Sequence, residues 1–114
     1  MAVLSLRIDL EPSGRIGPGK IALLTAIGET GSISAAGRAL GMSYRRAWQL
    51  VEELNDCFHG PVIATQAGGK KGGGAQLTPL GKQILAHYHA IESKSHKSVA
   101  RHLKALQAAI RDRG

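Results

Sequence analysis

The chain is short of cysteine, of acid and of long apolar runs, and each shortage closes off a class of protein. Cys57 has no second cysteine to pair with, so an internal disulfide framework is excluded and a reducing compartment fits. No apolar stretch approaches the roughly 18 residues needed to span a bilayer. Met1-Ala2 does not open onto a basic and then apolar leader. A cytoplasmic protein with no membrane partner is expected. The histidines lack ligand spacing: His87 and His89 are two apart, His96 and His102 are six apart, and His59 falls in a loop. No metal site is expected, nor any other cofactor. Nucleophile, base and orienting acid are nowhere assembled, so no catalytic residue is assigned and the chain is not read as an enzyme.

The shortage of acid is the most informative. Eight Asp and Glu stand against fifteen Lys and Arg in 114 residues, a formal charge of +7. Such an excess calls for a polyanionic partner, nucleic acid ahead of a membrane surface. It is also unevenly spread. No acid occurs from Thr30 to Val51, which holds Arg38, Arg45 and Arg46, or from Cys57 to Ile91, which holds Lys70, Lys71 and Lys82. A surface selected for solubility alone would intersperse both signs.

What is present reads as one small domain with a helical extension. Val3 to Leu10 alternates, with Leu4, Leu6, Ile8 and Leu10 on one side, and predicts a half-buried strand over 3–10. Pro12-Ser13-Gly14 and Gly17-Pro18-Gly19 punctuate a loop. Ile21, Leu24 and Ile27 recur at helical spacing up to Gly28, a first helix. Ser32 caps a short second helix with Ile33, Ala36 and Leu40 as its apolar stripe. Ala35, Ala36, Gly37 and Ala39 keep its surface small enough for another helix to cross closely. Gly41 supplies a left-handed turn and Ser43 the next cap. The third helix then sends Ala47, Leu50, Val51 and Leu54 inward, and offers Tyr44, Arg45 and Gln49 outward with Arg46 at the edge.

A short helix, a glycine turn and a capped second helix, basic in its first turns, form a helix-turn-helix over 32–58. Those first turns are the part that enters a major groove. Arginine can bond guanine O6 and N7 together, and glutamine adenine N6 and N7. After it, Val62 to Thr65 and Ala75 to Leu77 are extended around Gly68-Gly69-Lys70-Lys71-Gly72-Gly73-Gly74. This wing, 62–77, carries two ammonium groups suited to phosphates or to a minor groove. A nucleotide-binding glycine loop would need Gly-Lys-Ser/Thr opening a helix at once, whereas Gly74 leads into Ala75-Gln76-Leu77. Thr78-Pro79 starts the last helix. Ile84, Tyr88, Ile91, Ser95, Val99, Leu103, Leu106 and Ile110 recur along it. About 30 residues span about 45 Å at 1.5 Å per residue, more than the domain can cover, so a second copy of the helix is the simplest partner. A break near Ser95 is the alternative.

Gly31-Ser32-Ile33-Ser34-Ala35-Ala36, with Leu40, Ser43, Val51 and Glu53-Leu54, resembles the helix-turn-helix of LysR-type regulators. Ser43-Tyr44-Arg45, Ala47-Trp48, Glu53-Leu54-Asn55, Gly69-Lys70, Gly72-Gly73-Gly74-Ala75, Leu77-Thr78 and Gly81 bring it closer to the N-terminal domain of the ModE family, molybdate-responsive transcription regulators. The resemblance covers roughly residues 4 to 90. It implies a winged helix-turn-helix that dimerises through its terminal elements and binds a palindromic operator on double-stranded DNA. Members of that family continue into molybdate-binding domains, for which a chain ending at Gly114 leaves no room, so molybdate sensing is not carried over and the effector is left open.

The expected fold class is therefore mainly α with a small β wing. A winged helix-turn-helix occupies 1–78, and a long C-terminal dimerisation helix occupies 79–114. The expected DNA contacts are Ser32, Ser34, Ser43, Tyr44, Arg45, Arg46, Gln49, Lys70 and Lys71. Ser32 and Ser34 act as phosphate donors, and Tyr44 stacks or bonds near a sugar-phosphate. Trp48, beside Ala47 and Val51, reads as a core anchor, and Cys57 as a packed small hydrophobe. Two other readings fit the same chain: a winged-helix module that recruits an acidic protein, and an oxyanion sensor with its ligand at the dimer interface.

Overall fold

In a computed structural model, residues 2–66 and 74–112 are described. Their elements run β1 (Ile8–Leu10), β2 (Gly14–Ile16), α1 (Pro18–Thr30), α2 (Ile33–Ala39), α3 (Tyr44–Cys57), β3 (Ile63–Gln66), β4 (Gly74–Leu77) and α4 (Pro79–Ala109). The fold is mostly helical with two small antiparallel hairpins, a winged helix-turn-helix. β3 and β4 are the wing, in register from Ile63 opposite Leu77 to Gln66 opposite Gly74.

One core serves all three short helices. Leu23, Leu24 and Ile27 of α1, Ala36 of α2, Ala47 and Leu54 of α3 and Val62 before β3 are fully shielded from solvent. The four residues expected to point inward from α3 are its buried residues: Ala47, Leu50, Val51 and Leu54. The crossing of α2 and α3 is close because Gly37 has no side chain. A Cβ there would lie 3.3 Å from that of Ala47. Gly41 takes φ +69 in the turn between the two helices, the left-handed conformation that favours glycine.

Several local expectations change. The strand predicted over 3–10 is confined to Ile8–Leu10, and it pairs with Gly14–Ile16, a stretch read as loop. Paired with only three residues across the Pro12 turn, the strand leaves residues 3–7 without a ladder partner. Their alternation survives in another use, since Leu4, Leu6 and Ile8 are half-buried while Ser5 and Arg7 face solvent. Leu6 and Ile8 pack on the core, and the Tyr88 hydroxyl of α4 donates to the Leu6 carbonyl at 2.5 Å. The period therefore belongs to an arm pinned to a helix more than to a sheet. Leu10, expected inward, is 38% exposed at the end of the hairpin, and Leu40, expected in the α2 stripe, is 39% exposed because the helix ends at Ala39.

Gly28 does not end α1. The helix continues to Thr30 and stops at Gly31, whose φ is +69 and whose N–H bonds the Ile27 carbonyl. At Gly28 a Cβ would stand 3.3 Å from Leu77 Cδ1, so glycine there admits the wing instead of breaking the helix. α4 has no break at Ser95 and runs unbroken for 31 residues, about 46 Å at 1.5 Å per residue. Its first turns sit directly on the wing base, since a Cβ on Gly81 would run into the Val62 carbonyl. The radius of gyration, 16.9 Å, exceeds the ~13 Å of a compact domain of this length, and the far half of α4 accounts for the excess.

Candidate nucleic-acid interface

Two of the expected contacts, Ser32 and Ser43, are the caps of α2 and α3. Ser32 Oγ accepts from the Ala35 N–H at 3.0 Å, and Ser43 Oγ from the Arg46 N–H at 3.1 Å. Each serine occupies its hydroxyl oxygen on a helix-end amide that would otherwise lack a partner. Each keeps its O–H free to donate. Ser34 is likewise engaged, accepting from Arg38 Nη1 at 2.9 Å. Arg38, counted above only among the cations of an acid-free stretch, pairs with Ser34 at the four-residue spacing of helical neighbours.

The helix α3 is divided by charge. Its first half exposes Tyr44, Arg45, Arg46 and Gln49, and its second half exposes Glu52, Glu53 and Asp56. Among the described residues nothing bonds the side chains of Arg45, Arg46 or Gln49. Two guanidinium groups thus stand beside an amide with no counter-charge spent on them. Tyr44 is 61% exposed and meets Trp48 edge to face, ring centroids 6.2 Å apart. Trp48 packs against the core as expected, but its indole N–H is buried without an acceptor among the described residues. Lys70 and Lys71 lie outside the described residues.

Asn55 fastens α3 to the wing. Its Oδ1 accepts from the N–H groups of Val62 (2.8 Å) and Ile63 (3.0 Å), and its Nδ2 donates to the Ile63 carbonyl at 3.2 Å. Thr78 closes the other strand: its hydroxyl donates to the Pro61 carbonyl at 2.7 Å and accepts from the Gly81 N–H at 3.0 Å. The far edge of β4 is held by the Ala75 N–H on the Gly31 carbonyl, 2.9 Å. Asn55 entered the sequence reading only within a resemblance. Its partners lie seven and eight residues away in a different element, and no local pattern announces them.

Residues 19–82, more than half the chain, match the family of bacterial regulatory helix-turn-helix proteins of lysR type. The chain belongs to the lysR family of bacterial regulatory helix-turn-helix proteins. The match begins within α1 and ends just inside α4, so it takes in the helix-turn-helix, the Asn55 clamp and the wing. The chain is also similar to the molybdenum-pterin-binding protein MopB of Rhodobacter capsulatus, 48% identical over 100 residues, 87% of this chain and 37% of that protein. The molybdenum transport protein ModE of Azotobacter vinelandii is 33% identical over 96 residues, 84% of this chain and 36% of its own. The DNA-binding transcriptional dual regulator ModE of Escherichia coli is 32% identical over 97 residues, 85% of this chain and 37% of its own. This chain thus spans little more than a third of the length of these three relatives. Among the described residues no helix is long and apolar enough to cross a membrane, and no three His, Cys, Asp or Glu are grouped as a metal site.

Proposed function

We propose that this lysR-type domain is a sequence-specific DNA-binding transcription regulator acting as a homodimer, with α3 in the major groove. The observation that carries the reading is the free cationic and amide edge of α3: Arg45, Arg46 and Gln49, exposed in its first two turns, with no internal partner among the described residues. Exposed N-terminal side chains of a recognition helix are those that reach base edges. Ser32, Ser34 and Ser43, their oxygens already accepting, donate their O–H to phosphate. Tyr44 stands beside them, and Lys70 and Lys71 add backbone contacts from the wing.

The dimer rests on the far half of α4. Leu106 and Ile110 are 70% and 69% exposed, and Leu103 lines a shallow cavity of about 280 Å³ with Ala2, His96 and Ala100. Two copies related by a two-fold axis cover these faces and present two α3 helices to a palindromic operator. Relatives named for molybdenum transport and for transcription regulation suggest genes of molybdenum handling as the setting.

The test is selection of bound duplexes from a random pool, followed by affinity measurements on the enriched and on a scrambled duplex. Arg45→Ala is expected to weaken the enriched duplex by about 1–3 kcal/mol and the scrambled one little. Equal losses on both duplexes, or no enrichment at all, would refute direct readout.

A further inference from the structure

The pairing of Trp48 with Tyr44 is not explained by the stability of the domain. Trp48 lies at the margin of the core, half-buried, and carries into it an indole N–H with no acceptor among the described residues. A buried donor left unpaired is unfavourable, and leucine or phenylalanine would fill the same margin without one. What the indole adds is width. From a position packed against the core it reaches the ring of Tyr44, one helical turn earlier, and meets it edge to face with the planes at 74°.

Tyr44 gains from that contact. It is the first residue of α3, mostly exposed, and its hydroxyl has no partner among the described residues. Without the indole, its ring would sample several rotamers over open solvent, and ordering it on a ligand would lose that freedom. An edge-to-face aromatic contact selects one of those poses in advance.

We propose that Trp48 is a positioning residue that presets the Tyr44 ring on the outer face of α3, and that the ring then discriminates sequence by packing on a thymine methyl in the major groove. An uncharged ring at the start of a recognition helix has that apolar group as its natural base-edge contact. The inference rests on the DNA-binding reading above, and the controls keep the two apart.

The experiment uses the full chain with a duplex enriched from a random pool and a scrambled duplex. Its central quantity is the ratio of the two affinities. Tyr44→Ala and Trp48→Leu are each expected to lower that ratio about three- to tenfold, the range of an aromatic pair contact. The double variant is expected to lose no more than either alone, since both remove one device. Trp48→Phe keeps an aromatic edge and is expected to restore most of the ratio. Repeating the selection with Tyr44→Ala is expected to relax one A·T position in each half-site. Trp48 is the only tryptophan of the chain, so its emission reports on the pair directly and is expected to shift on adding the enriched duplex.

Additive losses in the double variant would overturn the proposal, as would an emission unmoved by the enriched duplex. So would a Tyr44→Ala ratio equal to that of the unmodified protein, which decides the matter even if Trp48→Leu fails to fold. If Arg45→Ala lowers the ratio while Tyr44→Ala does not, only this inference falls. If no duplex is bound, both fall.

Discussion

The two halves of α4 carry the same helical spacing of apolar residues in opposite surroundings. From Pro79 to Tyr88 the helix is set into the domain: Gly81 lies against the Val62 carbonyl, and Tyr88 is 1% exposed and bonded to the N-terminal arm. Beyond Tyr88 no described residue of the helix is buried, and Leu106 and Ile110 are open. The near part is short and carries one cation, Lys82, while the longer far part carries Lys94, Lys97, Arg101 and Lys104. Periodicity states that a face wants cover. It does not state who provides it. In the near half the same chain does so, and in the far half a second copy is our proposed answer.

That contrast can be attacked from either end. The largest effect is expected in the domain, where Leu54 is fully buried. Leu54→Ala should destabilise by about 2–5 kcal/mol in denaturant unfolding, and a smaller loss would mean the core closes around the gap. Next comes the junction. Tyr88→Phe removes the bond to the Leu6 carbonyl, and a stability loss of about 1–2 kcal/mol is expected, with faster amide exchange in the arm.

The same residue gives a pH signature. Burial, and to a smaller extent the Glu92 carboxylate, raise the Tyr88 phenol above its ordinary value near 10. The unfolded chain then releases that proton first, so the tyrosine's contribution is complete below about pH 10 and is lost as pH rises through the folded value. Unfolding measured across that range should show the decline in the parent and less of it in Tyr88→Phe. The smallest effect on folding is expected in the far half. Leu106→Glu should leave the dilute chain within about 0.5 kcal/mol while sedimentation shifts from dimer to monomer. A loss as large as that of Leu54→Ala would place Leu106 inside the domain and end the contrast.

Much of the fold was legible in the residues because its signals are local. Ser32, Ser43 and Thr78 cap helices where hydroxyl residues precede apolar periods, and the inward face of α3 follows from spacing alone. Gly28 and Gly31 show the limit. Both look like helix ends, and only the approach of Leu77 tells that one of them is a packing glycine. β2 was missed since three residues beside a Pro-Ser-Gly turn hold no period, and residues 3–7 alternate without a strand partner. Of the candidate interface, the exposure of Tyr44, Arg45, Arg46 and Gln49 was legible, whereas the Arg38–Ser34 pair and the bonds of Asn55 were not. These depend on what lies across a turn or in another element. The indole of Trp48 is of the same kind, because its N–H is left without an acceptor among the described residues only once the core has closed.

Asn55 has one more consequence. Three bonds from a single amide weld the last turns of α3 to the root of β3, so helix and hairpin cannot open and close like fingers. They act as a caliper with its screw tightened. Under the proposed reading, a duplex would have to bring its own grooves to that gauge, and the stiffness of the nucleotides between the jaws would become part of what is measured.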